Sequence, residues 1–225
     1  MKLQTNKKCY ALAIIMASSV ATSAYAAESA ELKVTGKIVP TSCEIDLGSS
    51  GTVDYGDISS RELTGAAPIQ LTISCDGKSQ VAYKITDNRA DTVVQNLTIP
   101  LTGTDGVSSY ASFGLGKVGE KNLGAWNAVQ SDLKVDGFSA VSLMNVGGSP
   151  GNELFVEGQS NEYMPINNGM EYSWSRNDLG IVAPATGKVF SSNIRVAGAL
   201  DKAISLNQAD EVKLDGSATL SIRYL

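Results

Sequence analysis

The chain contains no histidine. That removes the commonest general base, the usual partner of a catalytic serine or cysteine, and the commonest zinc ligand. There is no Gly-x-Ser-x-Gly elbow and no glycine-rich phosphate cradle ahead of a helix, so serine-hydrolase and nucleotide chemistry have no foothold. Only three cysteines occur, too few for a four-ligand metal site without histidine. Carboxylates such as Asp54, Asp57, Asp87, Asp91 and Asp105 fall near turns and strand ends, where local hydrogen bonding accounts for them without a glycosidase pair. The expectation is a non-enzyme that needs no metal and no cofactor. No proline-rich or Gly/Ser-rich linker divides the chain, and no internal repeat recurs at a fixed period.

One apolar run stands out, from Tyr10 to about Val20. Lys2, Lys7 and Lys8 precede it, and Ala24-Tyr25-Ala26 follows with small residues at the positions a signal peptidase reads. The run is shorter than the roughly 20 residues that span a bilayer. Residues 1–26 therefore read as a secretory signal peptide and residues 27–225 as a single domain, exported and not inserted in a membrane. Cleavage removes Cys9 and leaves Cys43 and Cys75 as a lone pair in an oxidising compartment, which reads as one disulfide. It also removes three lysines from a chain whose formal charge is already −5. So acidic a remainder is a poor partner for nucleic acid or anionic lipid.

Apolar and polar residues alternate in short segments between turn residues. A strand sends successive side chains to opposite faces, so alternation marks a half-buried strand. Strands are expected at Leu32–Val39, Gly51–Gly56, Ile69–Cys75 (with Asp76-Gly77 as a turn) and Val81–Ile85. Others are expected at Val93–Ile99, Ser109–Val118, Phe138–Met144, Glu153–Val156, Met170–Trp174, Lys188–Ala197, Glu211–Leu214 and Ala218–Leu225. Ala199–Leu206 allows one short helical stretch. The middle, Thr102–Pro165, reads as loops or a hairpin added to a basic sandwich, with Asn145–Asn152 a loop. Many short strands at this spacing imply an all-β fold, a β-sandwich. Trp126 and Trp174 have two readings, core plugs or partner-facing aromatics.

Both ends of the mature chain are built for strand pairing. Ala218, Leu220, Ile222 and Tyr224 share one face of the last segment, and Leu32, Val34, Gly36 and Ile38 share one face of the first. Here the chain resembles the chaperone–usher pilins. Val34-Thr35-Gly36-Lys37-Ile38-Val39 ahead of Cys43 resembles their start, Ile69–Cys75 their strand ending in the second cysteine, Val53-Asp54-Tyr55-Gly56 a short strand ending in glycine, and Tyr224 their penultimate aromatic. A closer likeness is to the fimbrial-like enterobacterial family of unknown function that includes GltF. It is carried by Val53–Gly56, Asp87-Asn88-Arg89, Phe113-Gly114-Leu115-Gly116 and Lys213-Leu214-Asp215-Gly216.

The resemblance implies an immunoglobulin-like, pilin-type sandwich lacking its last strand, with an enlarged loop region in the middle. It implies an exported subunit, or relative of subunits, of a chaperone–usher fimbria that assembles by β-strand addition. Its partners would be a periplasmic pilus chaperone, an outer-membrane usher and other fimbrial subunits, its location the periplasm and then a fimbria or the cell surface. Ala218, Leu220, Ile222 and Tyr224 would line one wall of the groove. Leu32, Val34, Gly36 and Ile38 would form the inserting face of a donor arm, or the first strand of the subunit's own sandwich. The alternative is a self-contained periplasmic or surface binding module that holds a sugar or protein ligand on the loops of residues 102–165.

Overall fold

A computed structural model describes residues 32–37, 41–58, 62–64, 68–100, 107–108, 112–149, 151–158, 163–176, 180–204 and 212–225. The chain divides into two units, Met1–Ile38 and Val39–Leu225. In the first, residues 32–37 form no strand and their side chains are exposed. The longer strands of the second are β1 (Cys43–Leu47), β2 (Ile69–Ser79), β3 (Val81–Asp87), β4 (Gly124–Val135), β5 (Val141–Ser149), β6 (Asn152–Glu157), β7 (Glu171–Ser175), β8 (Gly187–Leu200) and β9 (Ala218–Tyr224).

These longer strands form two antiparallel sheets. One runs β1-β2-β8-β4, and three short strands, Phe113–Gly114, Phe138–Ser139 and Met164–Ile166, share the far edge of β4. The other runs β6-β5-β7-β3-β9. Period-two patterning decides which faces meet. On β2, Ile69, Leu71, Ile73 and Cys75 are buried while Gln70, Ser74 and Asp76 are exposed; on β3, Val81, Tyr83 and Ile85 are buried. These rows meet in one core shared by both sheets, a β-sandwich. Its centre is aromatic. Trp174 packs against Tyr83 and Phe190 at centroid distances of 5.3 and 5.4 Å, and Tyr172 lies 5.8 Å from Tyr83. Full burial of such side chains contributes about 1.5–3 kcal/mol each. Trp174 is thus a core plug, its indole N–H donating to the Ser191 carbonyl at 2.9 Å.

A chain of polar groups crosses this core. The Tyr83 hydroxyl donates to Gln130 Oε1 at 2.7 Å, and Gln130 Nε2 donates to Ser142 Oγ at 2.8 Å. Tyr83 and Ser142 belong to one sheet and Gln130 to the other, so these bonds staple the layers together. Burial pushes the Tyr83 phenol well above its ordinary pKa and keeps it a donor.

Several expectations change. The middle of the chain is not an added loop: β4 lies inside the first sheet and β5 and β6 complete the second. The glycine-rich Asn145–Asn152 stretch is the bulged end of the β5–β6 hairpin, where a Cβ on Gly148 would overlap the Asn152 carbonyl oxygen. β2 runs through Asp76-Gly77, because the Asp76 N–H donates to the Ser42 carbonyl and the Ser42 N–H to Asp76 Oδ1, extending the ladder. Ala199 and Leu200 finish β8 where a helix was allowed, and residues 205–206 lie outside the described residues. Val93–Ile99 is strand only at Thr98–Ile99, and 212–214 form none. Behind the first sheet, Ile99 packs with Ala125, Val129, Ala197 and Ala199 in a second small core.

Cys43 and Cys75 are disulfide-bonded across a directly opposed β1–β2 pair, with Cα atoms 4.0 Å apart. The closed loop spans 32 residues of sequence. Replacing both cysteines by alanine is expected to lower stability by about 3–4 kcal/mol. Urea unfolding of the two proteins checks this; an unchanged midpoint would show that the crosslink does not constrain the unfolded chain.

Candidate functional site

Among the described residues, strand β9 lies at the edge of its sheet and pairs on one side only, with β3. Ala218 opposes Asp87, Leu220 opposes Ile85, Ile222 opposes Tyr83 and Tyr224 opposes Val81. The bonds flanking this ladder fix its phase. Asn88 N–H donates to the Ser217 carbonyl and Leu225 N–H to the Gln80 carbonyl, so odd-numbered residues of β9 exchange bonds with β3. The N–H and C=O of Ala218, Leu220, Ile222 and Tyr224 then point away from β3, into the open edge. The same residues turn their side chains inward: Ala218, Leu220 and Ile222 pack half-buried against the main core. Tyr224 is 49% exposed.

Strand β1 is the matching edge of the other sheet. Because Asp76 donates to Ser42, the alternate residues Cys43, Ile45 and Leu47 direct their main-chain groups away from β2, and their side chains pack on the same core. The Cys43 end of β1 lies by Tyr224, whose hydroxyl accepts the Cys43 N–H at 2.8 Å. The Leu47 end lines a cavity with Ala218 and Leu220. The two edges therefore run in opposite directions along one gap.

That cavity, about 410 Å3, lies between the sheets. Leu47, Val53, Ile69, Ile85, Trp126 and Leu220 give it an apolar wall, and it reaches exposed chain at Gly51, Thr52 and Gly216. Val53 and Tyr55 point into it from a stretch where a short strand was expected. The alternation there is real, but no strand among the described residues pairs with it, and the Gly56 N–H turns back to Asp54 Oδ1 at 2.8 Å. Burial raises the Tyr55 phenol to about 12, and its O–H donates to the Val196 carbonyl at 2.9 Å. Trp126 is half-buried at the end of the cavity, stacked on Phe113 at 4.2 Å.

Two devices fix β9. At its start, three stretches far apart in sequence converge. Asp87 accepts from the N–H groups of Arg89 and Gly114, Arg89 makes a two-pronged ion pair with Asp215, and the Asp215 N–H donates to the Leu115 carbonyl. Arg89 holds the Asp215 carboxyl below its usual range. A Cβ on Gly114 would overlap the Arg89 carbonyl oxygen and Thr92 Oγ1, so only glycine fits. On the outer face near its end, Arg223 reaches across the sheet to Glu171 on β7 (2.8 and 2.7 Å) and Glu153 on β6 (2.7 Å), and Asn145 donates to Glu171 at 2.9 Å. Arg223 is the main cause that keeps the Glu171 carboxyl below the usual range; for Glu153 the Gly151 N–H comes first and Arg223 adds to it.

The predicted groove strand and the cysteine pair thus lie on facing edges of the two sheets. Leu32, Val34 and Gly36 lie in no strand, and among the described residues of the second unit the first strand is β1. Leu32 and Val34 are 89% and 88% exposed, Gly36 has no neighbour within 4 Å of a built Cβ, and Ile38 lies outside the described residues. Missed by sequence reasoning were the Arg223 clamp and the Asp87–Arg89–Asp215 bracket. The only hint of the clamp was one long cation on the polar face of the last strand.

A model of a family described as a protein of unknown function (DUF1120) matches residues 32–127. The stretch takes in the exposed alternating segment, β1 to β3 and the start of β4. No curated protein matches the chain.

Gly114→Ala is expected to cost about 3 kcal/mol through overpacking against main chain, read from thermal or urea unfolding. The clamp carries a pH dependence. Carboxyls whose folded pKa is depressed contribute stability above their unfolded value, near 4.5, and lose it as pH falls through the lower folded value. Glu171→Gln is expected to lower stability by about 1–3 kcal/mol at pH 7 and to flatten the fall in stability below pH 4.5. Urea midpoints between pH 3 and 7 test this; parallel curves for the two proteins would rule out the clamp as the source.

Proposed function

We propose that the chain is an exported structural subunit of a chaperone–usher fimbria, or a relative of such subunits, whose immunoglobulin-like, pilin-type sandwich takes a strand from a partner between β9 and β1. One observation carries the reading. Ala218, Leu220, Ile222 and Tyr224 offer main-chain groups to an incoming ladder while the first three pack on the inter-sheet core, and Cys43, Ile45 and Leu47 do the same from the facing edge, with Leu47, Ala218 and Leu220 lining the cavity. That is the chemistry of β-strand addition, in which main-chain bonds give affinity and alternate side chains fill pockets.

The occupant that fits is the Leu32–Ile38 segment of a second copy. It alternates, its described residues are exposed, and it pairs with no strand among the described residues. The likeness to pilins and to the fimbrial-like family that includes GltF, carried by the residues named above, supports the same reading. In this setting a periplasmic chaperone would cover the edge first, an usher would receive the subunit, and other subunits would follow. The alternative, a binding module that displays a ligand on loops of residues 102–165, gains little from a region whose described residues are largely strands β4 to β6.

The test uses the mature chain, residues 27–225, and a peptide of residues 27–39. Saturating peptide is expected to raise Tm by several degrees, since occupancy at 100 Kd adds about 2.7 kcal/mol. A peptide carrying Val34→Asp and Ile38→Asp is expected to give no rise. Equal behaviour of the two peptides would sink strand donation by this segment.

A further inference from the structure

The two ends of the β1–β9 gap differ. At the wide end, Leu47, Ala218 and Leu220 border an apolar cavity. At the other end, a single side chain bridges the edges: the Tyr224 hydroxyl accepts the Cys43 N–H at 2.8 Å. Neighbouring strands lie about 4.8 Å apart, so one missing strand leaves its neighbours about 9.6 Å apart. A tyrosine ring plus one hydrogen bond spans a gap of that order. Cys43 is no arbitrary partner. It opens β1, the disulfide pins it to Cys75, and its N–H is the first main-chain donor that β1 turns toward the gap.

We propose that the Tyr224 hydroxyl is a releasable latch, which fastens β9 to β1 across the gap and must let go of the Cys43 N–H before a strand can pair along the whole of β1. The strand-pairing part rests on the function proposed above. The latch itself does not, because it concerns a bond within one chain. The anchoring is asymmetric. The start of β9 is bolted by the Asp87–Arg89–Asp215 bracket, which a passing strand has no cause to break. Near its end the Arg223 clamp ties β9 within its own sheet, while across the gap the end is held to β1 by a hydroxyl on a half-exposed ring. A strand entering at the cavity meets Leu47, Ala218 and Leu220 first and reaches Cys43 last, so the latch separates a partly paired from a fully paired complex.

Tyr224→Phe keeps the ring and removes only the hydroxyl. In the mature chain without peptide, hydrogen exchange at the Cys43 amide is expected to quicken about five- to tenfold, while amides in the centre of β3 keep their rates. Equal Cys43 exchange in both proteins overturns the latch. With the 27–39 peptide, the bound Cys43 amide is expected to become protected in both proteins, and several-fold sooner after mixing in the variant. If Cys43 becomes protected no sooner in the variant, the hydroxyl does not gate full pairing. If the peptide binds neither protein, strand acceptance fails, and exchange at Cys43 still decides whether the hydroxyl fastens the two edges.

Discussion

Everything at the open edge depends on the phase of β9 against β3. A ladder can be satisfied in either of two phases, one residue apart, and a slip of one residue sends every side chain to the opposite face. With Ala218 opposite Asp87, the inward-facing residues are also the ones whose main chain points outward. In the other phase Thr219, Ser221 and Arg223 would face the core, and the apolar row would face water. The Arg223 clamp and the bracket at Asp215 each make sense as enforcement of that choice, one from the outer face and one from the corner.

The clamp works because of what lies under it. Opposite Arg223 on β3 is Ala82, and beyond it are Ser173 and Leu143, all buried on the outer side of the sheet. The small Ala82 and Ser173 side chains leave room for a long one to lie across the strands, its stem over apolar surface and its guanidinium on carboxylates. The arrangement spans β9, β7 and β6, so the last strand is tied to the far side of its own sheet and not merely to its neighbour.

Much of this was legible in sequence, for specific reasons. Ile69–Cys75, Val81–Ile85 and the last strand show period-two patterning because one face of each meets the core and the other meets water. The cysteine pair was legible because Cys9 falls in the segment read as a leader, which leaves Cys43 and Cys75. Other features fail where pattern carries no partner. Val53–Gly56 alternates like a strand, yet burial of Val53 and Tyr55 comes from a cavity wall and not a ladder. β4 was obscured because a second small core covers its outer face, so Ala125 and Val129 are buried on one side and Ala128 on the other, and alternation disappears. Arg223 finds its partners 52 and 70 residues away, and no local pattern marks such a meeting.

The polar staple through the core has a further consequence. Tyr83, Gln130 and Ser142 satisfy one another only at one offset of the two layers, and sliding would strand buried groups at a cost of about 1–3 kcal/mol each. Layer spacing and offset are thus dictated from the interior, and with them the width of the slot at the rim. The separation of the two edge strands at the rim is therefore set by residues buried in the core.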